Sequence, residues 1–467
     1  MRETNIYNPK HLTILFFCLL IFICIGVSFG LTNIKPDLGI IIVIGIALFV
    51  LSFLDTEIAL YILIFSMLLS PEIGKRAVSG EGMTLRIEDF LLFIICFGWL
   101  AKNAYYKEIK EIGLIRETPL NPYIARYIIV CIISTAIGMI AGRVNLKTGF
   151  FFVLKYFEYI IVFFILVNHL HDKRQIQGYV IALLLTCLIV CIIAILQIPK
   201  GIRVTAPFEG SHGEPNTLGG YMLLMQSIVI GLFFALDQID IKGGLAALGG
   251  IITIVILHTL SRSTWLAAFL ILVFFLFFLK RKEKMLALFM IFVAALLLAA
   301  FAPSKVRDRV KETFIEDHEV PWREERILGK TVDQSTAIRI SGWKDGIRDW
   351  LTHHFIFGYG ITGYRFMDAQ YVRVAVESGI IGLITFFGLL FALFKYAFIS
   401  YKKVESPLFK GLSLGYMAGL VGLLGHCIGT NTFIIVRIME PFWFLTGIVI
   451  MLPELEKQQK GEDLNRL

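Results

Sequence analysis

Apolar runs long enough to cross a lipid bilayer recur along this chain, and no other feature constrains its fold as tightly. Leu12 to Leu31, Phe150 to Leu170, Tyr179 to Ile198, Leu218 to Leu236, Met285 to Ala302 and Gly379 to Ile399 are the longest of them. Each suffices for a hydrocarbon core of about 30 Å, which takes roughly 20 helical residues. Shorter runs at Leu38 to Leu54, Ile58 to Ser70, Phe90 to Ala101, Tyr123 to Ala141, Leu245 to Leu260, Thr264 to Leu279, Gly411 to Gly425 and Ile438 to Leu452 add further spans. The expected fold is all-α, a polytopic membrane helix bundle of about 12–14 spans. A hydrophobic content of 57% with 40 Phe agrees with that class.

Leu12 to Leu31 follows basic residues, but no small-residue cleavage site is evident after it, so it reads as a retained first helix. Cys18, Cys24, Cys96, Cys131, Cys187, Cys191 and Cys427 all fall in or beside apolar runs. Without paired metal-ligand spacing they read as buried small hydrophobes, with no disulfide framework.

The short connections orient the bundle. With the N-terminus inside, the segments Lys102 to Arg116, His171 to Arg174, Lys280 to Lys284, Lys402 to Lys403 and the tail from Glu454 are cytoplasmic and basic, as the positive-inside bias requires. The same count puts Pro199 to Thr217, the turn at Arg262, Pro303 to Val376 and Gly429 to Arg437 outside. Much of the net charge of +8 is therefore topological, and nothing in it indicates nucleic acid. The outer segments nonetheless carry Arg203, Arg262, Arg339, Arg365, Arg373 and Arg437 among others, against that bias.

Three regions are expected: a transmembrane bundle over 1–302, an extracytoplasmic loop over 303–376, and C-terminal transmembrane helices with a cytoplasmic tail over 377–467. In the loop, Ile340, Trp343, Ile347, Trp350, Leu351 and Phe355 recur at helical spacing, with Ser335 or Thr336 as N-cap. The apolar face of this helix would lie on the membrane surface or on the bundle. It ends in FGYGITGYRF, whose glycines permit tight turns.

Three outer elements combine arginine with glycine, proline or a carboxylate: GIRVTAPFEGSHGEPNTLGGY, SRSTW and GYGITGYRFMDAQY. Arginine presents a fixed charge and a planar fork of donors suited to phosphate oxygens. Several around one cavity would stabilise a departing pyrophosphate without a metal. Glu209, Glu214, Asp368 and Glu377 are then candidates to deprotonate an acceptor hydroxyl. Each arginine also has a plain reading as a snorkelling anchor, but Arg262 sits on short flanks on the side that positive residues avoid. Lys155 and Glu158, three residues apart inside a span, read as an internal ion pair or a functional site. Asp345 and Asp349 fall on the charged face of their helix and read as solvated.

The order of these elements resembles the O-antigen ligase and O-antigen polymerase superfamily of bacterial envelope glycosyltransferases. The matching stretches are Arg203 to Tyr221 ending in PNTLGGY, the SRSTW turn, RISGWKDGIRDWLTHHFIFGYG, and DAQYVRVAVESGIIGL entering the next span. LRIEDFLLF and LKYFEYIIVFF are similar to segments ahead of that core. The resemblance implies an enzyme of the bacterial inner membrane with its site facing the periplasm. Such an enzyme takes a glycan from a polyprenyl pyrophosphate carrier and joins it to a glycan or lipid-core acceptor, with no cofactor and no required metal. A chain-length regulator is a partner compatible with that role.

By the same resemblance, Arg203 and Arg262 contact the carrier pyrophosphate. Ligases carry a histidine before the motif's tyrosine or leucine, whereas this chain has Asp368, Ala369 and Gln370 before Tyr371. A carboxylate there is compatible with a repeat-unit polymerase, with ligation to a lipid A core as the alternative. The catalytic candidates are Asp368, Arg262 and Arg203. Arg339, Arg365, Tyr371, Arg373, Glu214 and Arg437 are candidates for substrate binding. A transporter or flippase is the competing class, but no repeated halves are visible and the charges gather at the outer boundary.

Overall fold

The computed structural model describes residues 36–73, 85–106, 116–209, 213–289, 306, 308, 326–327, 330–331 and 334–465. The expected span at Leu12 to Leu31, most of that at Met285 to Ala302, and His212 lie outside them. Among the described residues the chain is helical, apart from two pairs of two-residue antiparallel strands, Glu72–Ile73 with Leu85–Arg86 and Arg326–Ile327 with Lys330–Thr331. Within the described residues, eight helices are long and apolar enough to cross a membrane, and three shorter apolar helices accompany them. Helices suit lipid because every backbone donor inside them is satisfied within the segment. Cys131, Cys187, Cys191 and Cys427 are buried free thiols and Cys96 is a half-buried one; Cys18 and Cys24 lie outside the described residues.

In chain order the helices are α1 (Pro36–Leu54), α2 (Thr56–Leu69), α3 (Ile87–Tyr106), α4 (Asn121–Ile140), α5 (Leu146–His169), α6 (Lys173–Ile195), α7 (Pro215–Ala235), α8 (Ile239–His258) and α9 (Arg262–Phe278). After the long connection come α10 (Gln334–His353), α11 (Gln370–Lys403), α12 (Pro407–His426) and α13 (Val436–Asn465). The chain divides into two compact units, Met1–Leu60 with Phe90–Leu114, and Tyr61–Asp89 with Ile115–Leu467. In the first unit α1 meets α3 where the Ser52 hydroxyl donates to the Ile95 carbonyl at 3.1 Å.

The second unit carries every candidate residue. Its tightest pairing is α7 against α12, where the backbones nearly touch. A Cβ on Gly231 would stand 2.4 Å from the Gly411 carbonyl oxygen. Close approach through small residues is how helices associate when lipid removes the hydrophobic drive between them.

The connections assigned to the outer side by charge gather at one end of this unit. Gln370 donates its backbone N–H to the Cys427 carbonyl at 3.2 Å. Asn431 Nδ2 donates to the Met367 carbonyl at 2.8 Å, and Arg203 reaches Thr259. The connections assigned to the inner side gather at the other end. There Arg116 pairs with Glu454, and the backbone N–H groups of Glu405 and Ser406 donate to Glu456 at 2.8 and 2.7 Å.

A break in α11 shapes the first of these ends. Gly379 has φ 69° and ψ −168°, so α11 is two helical pieces joined at this residue. The glycine turn after α10 fills the break: Tyr359 and Gly360 donate to the carbonyls of Val376 and Glu377 at 2.8 and 2.9 Å, and Ile380 donates to Phe355 at 2.8 Å. Ser134 on α4 donates to the carbonyls of Phe357 and Glu377, 2.6 Å from each. Backbone groups freed by the broken helix are thereby satisfied by protein rather than exposed to lipid.

Candidate functional site

Arg262 opens α9 directly after Ser261, whose hydroxyl oxygen accepts from the Thr264 backbone N–H as an N-cap. The preceding residue, Leu260, is held at φ 50°, a left-handed conformation unusual for a branched side chain. Arg203 accounts for that strain. Its Nε donates to the Thr259 carbonyl at 2.9 Å and its terminal nitrogen to the Leu260 carbonyl at 3.4 Å. The two arginines thus meet at one turn, with the first guanidinium gripping the backbone that presents the second.

Helix α10 links this turn to Asp368. Arg262 donates to the Thr336 hydroxyl at 3.1 Å, and one turn further on Arg339 lies 3.6 Å from the Asp368 carboxylate. The helix starts at Gln334, so Thr336 lies inside it and binds Arg262 instead of capping the helix. On the face turned to α11, Trp350 is buried with Met367, Ala375 and Val376. Asp345 and Asp349 keep contact with solvent, as expected, but each also has a partner. Asp345 takes Arg365 at 2.7 Å, and Asp349 accepts from the Tyr364 hydroxyl at 2.6 Å. That hydrogen bond and Arg348 hold the Asp349 carboxyl below the usual range, while burial and the same bond push the Tyr364 hydroxyl up to about 12. Burial and the adjacent Arg143 guanidinium lower the His354 pKa, and Arg143 stands 2.8 Å from the ring Nδ1.

A cavity of about 200 Å³ opens beside Asp368. Glu214, Asp368, Arg373, Glu377, Asn431, Thr362 and Tyr364 contribute its polar lining, with Thr148 and Thr430, and Phe152 and Phe366 its aromatic walls. Arg373 and Glu377 pair at 3.0 Å, one turn apart at the start of α11, and the Arg373 guanidinium lies over the rings of Phe152 and Phe366 at 5.9 and 5.7 Å. The cavity also touches residues immediately ahead of three helices. Glu214 stands before α7, Asp368 just before α11, and Ile434 and Ile435 before α13. The N-terminal ends of helices carry unsatisfied N–H groups and partial positive charge, so the carboxylates here face an electropositive rim.

The cavity and the Arg262 turn share a wall. The Ser263 hydroxyl lies 3.4 Å from that of Thr430, which lines the cavity, and Ser261 donates to Asn216 at 2.8 Å. Neither Arg262 nor Arg203 itself lines the cavity. Of the other candidates, Glu214, Asp368 and Arg373 meet there. Arg339 touches it through Asp368, and Arg365 lies over the Tyr364 ring at 5.7 Å. Tyr371 turns away, its hydroxyl on the Leu424 carbonyl at 2.6 Å and its ring stacked on Phe387.

Arg437 is fully buried. It donates to the carbonyls of Pro207 and Ser70 at 2.6 and 2.9 Å and lies 3.6 Å from Glu209, which Arg86 approaches at 3.8 Å. In this position it ties three connections together. Lys155 does pair with Glu158, at 2.9 Å, and also with Asp89 at 2.6 Å. Glu440 is fully buried beside this group, with no hydrogen bond to either carboxylate oxygen among the described residues.

Several lining residues carry no signal in the sequence, and two of them have unpaired polar atoms among the described residues. Asn431 is 6% exposed, and its Oδ1 accepts no hydrogen bond from the described residues. Thr362 is held at φ 66° by a hydrogen bond from its N–H to Glu377 at 3.1 Å, and its buried hydroxyl likewise has no partner among them. No spacing or composition marks either one.

No curated protein matches the chain. Residues 247–387, which hold Arg262, α10, Asp368 and the break at Gly379, match the model of a protein family described as O-antigen ligase. The match over residues 247–387, in a chain whose described residues include eight helices long and apolar enough to cross a membrane, is consistent with the O-antigen ligase and polymerase superfamily its motifs resemble.

Proposed function

We propose that the protein is a membrane glycosyltransferase that joins polyprenyl-pyrophosphate-linked glycan repeat units on the outer leaflet of the bacterial inner membrane, its site facing the periplasm. The observation that carries this reading is the cavity that brings Asp368, Glu214 and Arg373 together and shares the Ser263–Thr430 contact with the Arg262 turn. The acceptor hydroxyl oxygen attacks the anomeric carbon of the donor and gives its proton to Asp368. The bond from that carbon to the pyrophosphate breaks, and its electron pair leaves with the pyrophosphate oxygen. Arg262 and the N-terminus of α9 receive the negative charge. One displacement inverts the anomeric centre.

The other arginines take graded roles. Arg203 holds the turn that aims Arg262, and Arg339 orients Asp368. Arg373 fixes Glu377 in the cavity wall, and Arg437 anchors the wall from behind.

Ligation to a lipid A core is the second reading, supported by the description of the matching family. Aspartate in place of the ligases' histidine favours the polymerase. Reconstitution into vesicles with a polyprenyl-pyrophosphate-linked repeat unit separates the two. Elongated product supports the polymerase, and product on an added lipid A core supports the ligase. Movement of the donor across the bilayer without a new bond refutes both. Arg262→Ala is expected to lower transfer by about 10²–10³-fold, as loss of a donor to a developing oxyanion does.

A further inference from the structure

Resting on the transferase reading, the cavity also carries information about which sugar it admits. Its lining is rich in acceptors. Glu214 and Asp368 contribute carboxylates, Glu377 contributes a third, and the cation of Arg373 is already engaged with Glu377 at 3.0 Å. Asp368 lies 3.6 Å from Arg339, and its charge also acts on Arg373.

Against this background, two lining groups are left without partners. Asn431 donates Nδ2 to the Met367 carbonyl at 2.8 Å, which fixes the amide orientation and leaves Oδ1 as a buried acceptor with no donor among the described residues. Thr362 keeps a strained left-handed backbone, and its buried hydroxyl is likewise unpaired. Buried polar groups are ordinarily satisfied, and those that are not, next to a cavity, await a ligand that brings the missing donor. Strain held at such a position is found where a site is pre-organised.

We propose that Asn431 and Thr362 read the hydroxyl groups of an uncharged pyranose in this cavity. A sugar hydroxyl donates to Asn431 Oδ1, and a ring substituent meets the Thr362 hydroxyl. Phe152 and Phe366 supply the apolar part of the wall beside the C–H surface of the ring. A uronic acid is disfavoured, because its carboxylate would face Glu214, Asp368 and Glu377 with Arg373 already taken. The Asn431 pairing makes the site selective in the strong direction, since a sugar lacking the hydroxyl leaves a buried acceptor unpaired.

The test is direct binding, which does not depend on transfer. The full chain in lipid nanodiscs is titrated with the methyl glycosides of glucose, galactose, mannose, N-acetylglucosamine and glucuronic acid, and with single-deoxy analogues of the tightest. The expectation is that a neutral glycoside binds at least tenfold more tightly than the glucuronide, and that one deoxy analogue loses roughly tenfold. Asn431→Ala should lose about as much on the parent and nothing further on that analogue. Thr362→Gly, which relieves the strained backbone, keeps a folded protein in hand and should also weaken the parent glycoside. Glucuronide binding as tight as neutral binding, no binding of any neutral glycoside, or unchanged binding by both variants overturns the proposal. Binding of neutral glycosides by a protein that transfers no lipid-linked glycan leaves this inference standing and removes the transferase reading alone.

Discussion

Arg203 grips the carbonyls of Thr259 and Leu260, three and two residues before Arg262, so one arginine sets the backbone from which the other projects. The arginines that the charge bias assigns to the outer side thus resolve into separate tasks. One cation holds a turn, a second stands at the mouth of a helix, a third steadies a carboxylate, and a fourth is locked inside the fold. Only their placement distinguishes them.

Arg203→Lys tests this division. A lysine keeps the charge but not the fork that spans two carbonyls. Transfer is expected to fall together with the local protection of residues 258–264 in hydrogen exchange, whereas Arg262→Ala should lower transfer and leave that protection intact. Equal protection in Arg203→Lys and the unaltered protein would make Arg203 a direct phosphate contact.

The break in α11 requires glycine. At Gly379 a Cβ would stand 2.1 Å from the Ile356 carbonyl oxygen, at a φ of 69°. Gly379→Ala is expected to destabilise the protein by roughly 2–4 kcal/mol. Gly388→Ala, where nothing lies within 4 Å of the added carbon, should be neutral or stabilising by up to about 1 kcal/mol. Thermal unfolding of both variants in detergent gives the comparison.

Lys155 is the cation between two carboxylates inside the membrane-spanning region. Removing it leaves Asp89 and Glu158 buried without a counter-charge, and Lys155→Met is expected to cost about 3–5 kcal/mol. The double variant Lys155→Met with Glu158→Gln should recover part of that loss, measured as the unfolding midpoint.

His354 gives the segment between α10 and α11 a pH dependence of defined sign. Its folded pKa lies below the ordinary value of 6.5, because burial and Arg143 disfavour the imidazolium. The unfolded chain therefore takes up the proton first, and stability is lost as pH falls through about 6.5 toward the folded value. The unfolding midpoint should drop more between pH 7 and pH 5 in the unaltered protein than in His354→Gln. An equal drop in both would assign the effect elsewhere.

The sequence made the helices legible because lipid leaves so little choice: a run of about 20 apolar residues is a helix in that solvent. Arg262 was legible for the same reason, as a charge in the wrong place. The Lys155–Glu158 pair could be read from helical spacing, but Asp89 could not, since it reaches Lys155 from another helix. Asn431 and Thr362 carried no signal at all. Their character comes from burial without partners, and burial exists only once the chain has folded. Arg437 looked like its fellow arginines in the sequence, and only its complete burial separates it from them.

If Asp368 takes the proton of the acceptor hydroxyl as proposed, Asp368→Asn removes the group that accepts it. Asparagine keeps the size and the contact with Arg339 but cannot accept a proton. In vesicles supplied with a polyprenyl-pyrophosphate-linked repeat unit, the rate of glycan transfer is expected to fall by about 10²–10⁴-fold with donor binding retained. A variant that transfers as fast as the unaltered protein would show that Asp368 is not the base and would point to Glu214 or Glu377.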